Sequence, residues 1–239
     1  MEYPYPLVRG RFLAREKRFF VHVRLDDGSR VTAHTNNTGS MRGCLLPDAP
    51  VWLSPARNPA RKLPWTLEIV AVPATVGTGV VLVGVNTILT NRLAAEAITG
   101  GLIPGLAGFP ELRAEVPYGT RSSRADFLLE DGNRRVWVEV KNVSLVEEGH
   151  ARFPDAVTLR GQKHLRELMD IVATGDRAAL ILCSQRGDAR TIGPADDIDP
   201  VYGRLLRQAA GTGVEIYGLR AAVTSTSLAP EQLLPLVLG

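Results

Sequence analysis

The sequence predicts two domains, a small β-barrel over residues 1–80 and a mixed-sheet α/β domain over residues 81–239. Three observations predict this division. Short apolar runs separated by turn residues fill the first third of the chain. After Val80, helical and strand patterns alternate, as they do when helices cover both faces of a sheet. The chain has 239 residues, which is enough for each part to have a core of its own.

The barrel is predicted from five short strands. The pair Asp27-Gly28 is a strong hairpin signal between the second and the third strand. Among barrels of this size, the five-stranded oligonucleotide/oligosaccharide-binding (OB) barrel is the commonest. The five predicted strands are Val8–Leu13, Phe19–Leu25, Arg30–Thr35, Pro50–Ser54 and Thr66–Val72.

The second domain is predicted from periodicity and from helix-stop signals. Alanine, leucine and glutamate at helical spacing, closed by Gly100-Gly101, indicate the first helix. A continuous apolar run such as Ala178–Cys183 is typical of a strand covered on both faces. The predicted elements are a helix over Thr90–Thr99, a loop over Gly105–Pro110, a strand over Leu112–Val116, a helix from about Asp155, a strand over Ala178–Cys183, a helix over Pro200–Gly211 and a strand over Val214–Val223.

Composition sets broad limits on function. Apolar residues at 45% and charged residues at 22% are typical of a globular domain, and no apolar stretch is long enough to span a bilayer. Residues 1–80 hold 11 Lys and Arg against 6 Asp and Glu, a balance of +5 within a net charge of +3. This excess favours a polyanionic partner for the barrel, although an ordinary solvated surface accounts for it equally well. The start of the chain does not resemble a secretory signal, so a cytoplasmic protein without a membrane partner is expected. Cys44 and Cys183 belong to no paired metal motif and are expected to be small buried residues.

Three charges inside a predicted hairpin are the main functional signal. The segment 124–141 reads as two apolar strands joined by a turn, and it contains Asp126, Glu139 and Lys141. Charges are costly in a buried strand, so a metal and a phosphate would account for them. Because side chains alternate along a strand, Glu139 and Lys141 share one face. A structural salt-bridge cluster is the alternative.

The register of the hairpin decides whether Asp126 joins this face. If Glu130 pairs with Arg135 across a four-residue loop, Asp131–Arg134, then Asp126 lies opposite Glu139. Their Cβ atoms would be about 5 Å apart, so the carboxylates would repel each other unless a cation lay between them. Hard oxygen ligands with room for water suit Mg²⁺ or Mn²⁺. A slip of one residue would move Asp126 to the other face.

These residues resemble the PD-(D/E)xK nuclease signature, with Ala125 in place of the proline. The chain is also similar, over nearly its whole length, to the sugar fermentation stimulation protein A family. The motifs that carry this similarity are Asn36-Asn-Thr-Gly39, Val85-Asn-Thr87, Asn91 and the segment from Phe153 to Leu168. Thr90 and Ser40 depart from the usual form of the family.

The resemblance implies an OB-like barrel followed by an α/β/α domain of the nuclease (restriction-endonuclease-like) class. It also implies DNA binding and a part in regulating sugar (maltose) utilisation. By the motif match, Asp126 and Glu139 would be metal ligands and Lys141 the catalytic lysine. Glu115 is a weaker candidate for a third ligand, and so is Glu96.

Two further groups are candidate nucleic-acid contacts. One stripe of the helix predicted from about Asp155 lies opposite its apolar stripe and holds Arg160, Lys163, His164 and Glu167. Asp155 is the expected N-cap of this helix. A proline-rich loop in the barrel carries a second basic group beside an aromatic residue, as a backbone-tracking groove would. Both are equally compatible with solvated surfaces. The residues of the loop group are Arg57, Arg61, Lys62 and Trp65.

Three functions remain open from the sequence. The first is a metal-dependent phosphodiesterase that acts on nucleic acid, with DNA as the expected substrate. The second is a DNA-binding regulator whose nuclease-like fold only holds the duplex, and the third is an adaptor with neither activity. The intact Asp126, Glu139 and Lys141 favour the first. The oligomeric state stays open, a homodimer being one alternative.

Overall fold

The first five strands form a closed barrel in the computed structural model, which describes residues 1–56, 58, 60–118 and 123–239. Strand order is β3-β2-β1-β4-β5, and a parallel pairing of β3 with β5 closes the ring. A sixth strand, β6, extends the sheet from β5. The strands are β1 Val8–Glu16, β2 Phe20–Leu25, β3 Arg30–His34, β4 Pro50–Pro55, β5 Trp65–Pro73 and β6 Val80–Gly84.

Alternating side chains fill the barrel interior. Val21 and Val23 of β2 are fully buried, as are Val51 and Leu53 of β4. Gly10 of β1 has no room for a side chain against β2, because an added Cβ there would be 2.6 Å from a methyl carbon of Val23. The period-two pattern of the sequence therefore corresponds to a real inside and outside.

The second domain is a six-stranded mixed sheet between helices. Its order is β15-β14-β12-β9-β8-β7, in which β9, β12 and β14 run parallel. Helix α1 packs on one face of the sheet, and α2 and α3 pack on the other. The elements are α1 Ile88–Thr99, β7 Glu111–Tyr118, β8 Ser123–Asp131, β9 Arg134–Val143, α2 Leu159–Ala173, β12 Arg177–Ser184, α3 Pro200–Gly211, β14 Glu215–Val223 and β15 Leu228–Leu234.

Several short strands were not predicted. A three-stranded sheet joins β10 Leu145–Glu147, β11 His150–Phe153 and β13 Thr191–Pro194. The predicted loop 105–110 contains a 3-10 turn at Pro104–Leu106. Cys44 and Cys183 are buried free thiols, as expected. Within the described residues, no helix is long and apolar enough to cross a bilayer.

The hairpin that carries the charges has the predicted register with a tighter turn. Glu130 pairs with Arg135, as predicted. Asp131 also pairs with Arg134, so the loop has two residues instead of four. Gly132 begins this turn with a φ of +57°, a conformation that glycine adopts at little cost.

The predicted start of α2 is wrong. The helix begins at Leu159, and the Thr158 side chain caps it by accepting a hydrogen bond from the Gly161 amide at 3.0 Å. The Asp155 carboxylate is used elsewhere, because it accepts from the Met41 amide of the barrel domain at 2.9 Å. The Asp155 carbonyl accepts from the Ser40 hydroxyl, also at 2.9 Å. These contacts tie the loop before α2 to the barrel.

Candidate active site

Asp126 lies where the ladder between β8 and β9 ends. The last pair of that ladder is Phe127 with Val138, and the same register places Asp126 opposite Glu139. One oxygen of Asp126 accepts from the Val140 amide at 2.7 Å. The other accepts from the side-chain amide of Asn91 in α1 at 2.8 Å. Two donors from different elements therefore fix this carboxylate.

Glu139 is 3% exposed and is held from the opposite side by α2. Its Oε1 contacts both Lys141 Nζ and His164 Nδ1. Arg160 Nε donates to His164 Nε2 at 3.3 Å, so the ring hydrogen belongs on Nδ1 and points at Glu139. The other carboxylate oxygen of Glu139, Oε2, is buried and has no partner among the described residues. A buried carboxylate oxygen without a donor is costly, and a bound cation would satisfy it.

The surroundings move the pKa values of the two carboxylates in opposite directions. Burial, and then the charge of Glu139, raises the pKa of Asp126 above its ordinary value. Burial alone would also raise the pKa of Glu139. The hydrogen bond from His164 and the charge of Lys141 outweigh burial there and hold that pKa below its ordinary value. The surroundings therefore favour the ionised form of Glu139 and disfavour that of Asp126.

Both carboxylates open into one polar cavity of about 390 Å³. Glu115 also lines this cavity, since it lies opposite Asp126 in the register between β7 and β8. Its φ of +54° is unusual for a residue with a side chain. The full lining consists of Glu115, Ser123, Arg124, Asp126, Glu139, Arg160, Lys163 and His164.

The donor set of the cavity fits a hard divalent cation. Mg²⁺ commonly binds through one or two carboxylates and keeps water or substrate oxygens in its other positions. Asp126 and Glu139 supply two carboxylates, and Glu139 supplies an oxygen without a partner. In the part of the chain that the structure describes, no three His, Cys, Asp or Glu side chains form a metal-binding group, so Glu115 does not join the pair as placed.

Comparison with known proteins gives the family. A model of the "Sugar fermentation stimulation protein RE domain" matches residues 88–227, and a model of the "SfsA N-terminal OB domain" matches residues 13–83. The chain belongs to the sugar fermentation stimulation protein family. This result confirms the resemblance predicted from the sequence motifs.

Relatives match along the whole chain. The sugar fermentation stimulation protein homolog of Geobacter sulfurreducens is 51% identical over 236 residues, which cover 99% of this chain and 98% of the relative. That of Geobacter metallireducens is 50% identical over the full length of both. The structure of Pyrococcus furiosus SfsA in complex with Ca²⁺ superposes with a TM-score of 0.85 at 26% identity, covering 99% of this chain and 98% of that one. The predicted OB barrel followed by a mixed-sheet α/β domain is confirmed.

The cationic stripe of α2 borders the site: His164 is buried in it, whereas Arg160 is exposed at its wall. For His164 the solvated-surface alternative does not hold, because this residue is only 6% exposed and contacts Glu139. Arg160 and Lys163 do line the cavity. Lys163 Nζ donates to the Ser123 hydroxyl at 2.9 Å, which places it at the rim next to β8.

Among the candidates in the barrel loop, the three that the structure describes do not line this cavity. Arg61 donates to the Thr66 hydroxyl at 3.0 Å and to the Trp65 carbonyl at 3.2 Å, so it holds the loop on its own strand. Trp65 packs partly buried against the barrel core. Lys62 is exposed, and Arg57 lies outside the described residues.

Two residues at the site have contacts that the sequence did not predict. Asn91 was visible only as part of a family motif, and the structure shows that it holds Asp126. His164 was visible only as a member of a stripe. Glu96, the weaker ligand candidate, binds the N-terminal amine of Met1 at 3.3 Å and does not line the cavity.

Proposed function

We propose that this chain is a divalent-metal-dependent phosphodiesterase that cleaves nucleic acid, with DNA as the expected substrate. One observation carries the proposal: Asp126 and Glu139 meet in a single polar cavity, and Arg160 and Lys163 stand at its wall. The two carboxylates suit a cation, and the two basic side chains in the same cavity suit the phosphodiester beside it. The Lys141 ammonium beside Glu139 completes the charge pattern.

Asp126 and Glu139 would hold the metal. Two close, buried carboxylates raise each other's free energy, and a cation between them relieves that cost. The bound Ca²⁺ named for the Pyrococcus furiosus relative supports a divalent cation in this fold. When bound, Mg²⁺ or Mn²⁺ would supply an electrophile that stabilises negative charge on the phosphate and lowers the pKa of water.

The side chains of the chain would bind and orient the substrate. Arg160 is exposed at the cavity and can donate to phosphate oxygens, and Lys163 adds a second positive charge. Hydrolysis forms a bond from a water oxygen to phosphorus and breaks one phosphorus–oxygen ester bond. Lys141, which contacts Glu139, would stabilise the charge that develops in that step. His164 would keep Glu139 in position.

The barrel would contribute a second contact to the strand. Its net charge of +5 over residues 1–80 attracts a polyanion at a distance. Lys62 is exposed and could reach a phosphate, whereas the Arg61 guanidinium already donates twice within its loop. We therefore expect the barrel to add sequence-independent, salt-sensitive affinity.

The test is cleavage of labelled single- and double-stranded DNA by the purified chain with Mg²⁺, Mn²⁺ or a chelator. Asp126→Asn and Glu139→Gln should each lower the rate by at least about a hundredfold, as expected when a group stabilising the transition state is lost. Asp131→Asn is the matched control, since it removes one carboxylate from the exposed end of the same hairpin. Cleavage that persists in both site variants contradicts the proposal. Binding of DNA without cleavage under every metal supports the alternative, a non-catalytic DNA-binding regulator of sugar (maltose) metabolism.

A further inference from the structure

A second cavity lies next to the first, between the two domains. Its volume is about 280 Å³, roughly the space of nine liquid waters. One wall comes from barrel residues 36–39, and the other comes from the start of α1 and the end of β9. We name it the amide pocket, because four asparagines line it. Its lining consists of Asn36, Asn37, Thr38, Gly39, Thr87, Thr90, Asn91, Val140, Lys141, Asn142, Ser144, Phe153 and Asp155.

Two of the four asparagines present an acceptor to the pocket. Asn91 donates its NH₂ group to Asp126, so its carbonyl oxygen is the end left over. Asn36 donates its NH₂ group to Asn86 Oδ1 at 2.9 Å, which leaves its own Oδ1 in the same way. Asn86 is itself oriented by Glu68, since its NH₂ group donates to that carboxylate at 2.9 Å. The buried carboxylate therefore fixes which end of Asn36 is available.

The other two asparagines present a donor. Asn142 Oδ1 accepts from the Thr90 hydroxyl at 3.2 Å and from the Gln185 side-chain amide at 2.8 Å. Asn37 is only 6% exposed, and its Oδ1 accepts from the Gly39 amide at 2.9 Å. None of the described residues takes the NH₂ group of either side chain. Each of these lining asparagines thus has one end bonded within the protein and the other end without a partner among the described residues.

The charges of the pocket argue against a phosphate as its occupant. Lys141 stands at the side shared with the active site, and Asp155 contributes a carboxylate at the barrel side. That carboxylate would repel a phosphate, whereas a neutral ring carrying its own donors and acceptors would match the amides. Phe153 adds an aromatic surface. Amide groups beside an aromatic side chain are the usual means of recognising an unpaired base.

We propose that the amide pocket binds one nucleobase of the strand whose phosphate lies at Asp126 and Glu139. This inference rests on the proposed function and adds its substrate requirement. A base inside the pocket cannot be paired, so the substrate is a single strand or a duplex position from which the base can be extruded. The fixed polarity of Asn36, Asn37, Asn91 and Asn142 selects among bases at a single position.

The test is partial digestion of a random-sequence, single-stranded DNA pool with Mn²⁺, followed by sequencing of the ends. We expect one base, or one pair of bases, to be enriched about tenfold or more at a fixed offset from the cut. An abasic residue at that offset should slow cleavage of a defined oligonucleotide by a similar factor. A matched duplex should be cut more slowly than the single strand.

Two isosteric variants test the amides directly. Asn37→Asp and Asn142→Asp keep the oxygen that accepts inside the protein and replace the presented NH₂ by an oxygen. Each should change the identity of the enriched base. A general loss of phosphate affinity would slow cleavage without changing that identity. Asn133→Asp adds the same charge at the exposed turn of the hairpin and should leave the preference as in the unmodified chain.

The outcomes separate this inference from the proposed function. Cleavage at random positions, with no effect of the abasic residue, overturns the amide pocket and leaves the nuclease standing. A base preference that neither Asn37→Asp nor Asn142→Asp changes also overturns it. Absence of both binding and cleavage removes the proposed function and the pocket together. If the variants do not fold, the pool and the abasic oligonucleotide decide the question with the unmodified chain alone.

Discussion

A buried ion pair at the junction of the domains gives the most quantitative prediction. Arg186 Nε and Nη2 donate to the two oxygens of Asp188 at 2.8 and 2.7 Å, and the side chains are only 2% and 4% exposed. Thr75, which follows the barrel strand β5, donates to Asp188 through its amide and its hydroxyl, both at 2.9 Å. Arg186 also donates to the Ser144 carbonyl, just after β9, at 3.2 Å. The pair therefore connects the barrel to the strand that carries Glu139.

Replacing Asp188 with alanine leaves the guanidinium buried with a single acceptor. Loss of one partner of a buried ion pair costs about 3–5 kcal/mol, a large part of the roughly 5–15 kcal/mol by which a domain is stable. At about 2–4 °C per kcal/mol for a chain of this size, the melting temperature should fall by about 6–20 °C. Removing both charges, as in Arg186→Met/Asp188→Ala, should cost much less than the sum of the two single changes.

The assay is equilibrium unfolding in urea together with thermal melting, both followed by circular dichroism. Asp196→Ala is the control, because Asp196 makes the same two-pronged contact with Arg207 while 47% exposed, and exposed pairs contribute about 0–1 kcal/mol. A loss for Asp188→Ala no greater than for Asp196→Ala would refute the reasoning. So would a double variant as unstable as the sum of its parts.

The same pair predicts a pH dependence with a definite sign. Burial alone would raise the pKa of Asp188, but the hydrogen bonds from Arg186 and Thr75 outweigh it and hold the pKa below its ordinary value. Such a carboxyl stabilises the fold above its unfolded pKa and loses that contribution as pH falls through the folded pKa. The deficit of Asp188→Ala should therefore be constant from neutral pH down to about pH 4, the ordinary pKa of aspartate, and narrow below it.

Three further predictions follow from single sites. Mn²⁺ should raise the melting temperature of the unmodified chain and should not raise that of Glu139→Gln. At a free Mn²⁺ concentration of a hundred times the dissociation constant, the added stability of the unmodified chain should be about 2.7 kcal/mol. Burial raises the pKa of Glu68, so the contribution of this group to the stability of the unmodified chain should be lost as pH rises through that pKa. In denaturant unfolding, the free energy of unfolding of Glu68→Gln should therefore rise relative to that of the unmodified chain between acidic and neutral pH. The glutamine can still accept the hydrogen bond from Asn86. Gly10→Ala should destabilise the barrel by about 1–3 kcal/mol in thermal melts, because the new methyl meets Val23 at 2.6 Å, and an unchanged melting temperature would contradict this.

Local patterns were sufficient for much of the fold. Asp27-Gly28 and the alternation around Val21 and Val23 fix a hairpin with little help from the rest of the chain. The register of Glu130 with Arg135 follows from the same alternation, since a slip would bury charges and expose valines. Strand β15 was missed because Pro230 interrupts its pattern. The structure places that strand at the sheet edge, where a proline is tolerated.

Contacts between distant segments explain the errors at the site. Asp155 has the composition of a helix cap, but the Met41 amide, 114 residues earlier, takes its carboxylate. Spacing places Arg160, Lys163 and His164 on one stripe of α2, yet only the position of Glu139 shows that this stripe faces the sheet. Periodicity identifies which residues lie together on a helix, and it does not identify what they face.

Asn91 makes the two cavities interdependent. Its NH₂ group donates to Asp126, and the same bond leaves its oxygen as the end available to a ligand in the amide pocket that it lines. Any displacement of Asp126 when a cation binds would therefore alter one of the acceptors that a base would meet. Lys141 links the cavities in the same sense, because it contacts Glu139 on one side and lines the amide pocket on the other. Metal and base would then not bind as independent ligands. Since coupling is reciprocal, a bound base should change the affinity for the metal by the same factor, and in the same direction, as the metal changes the affinity for the base.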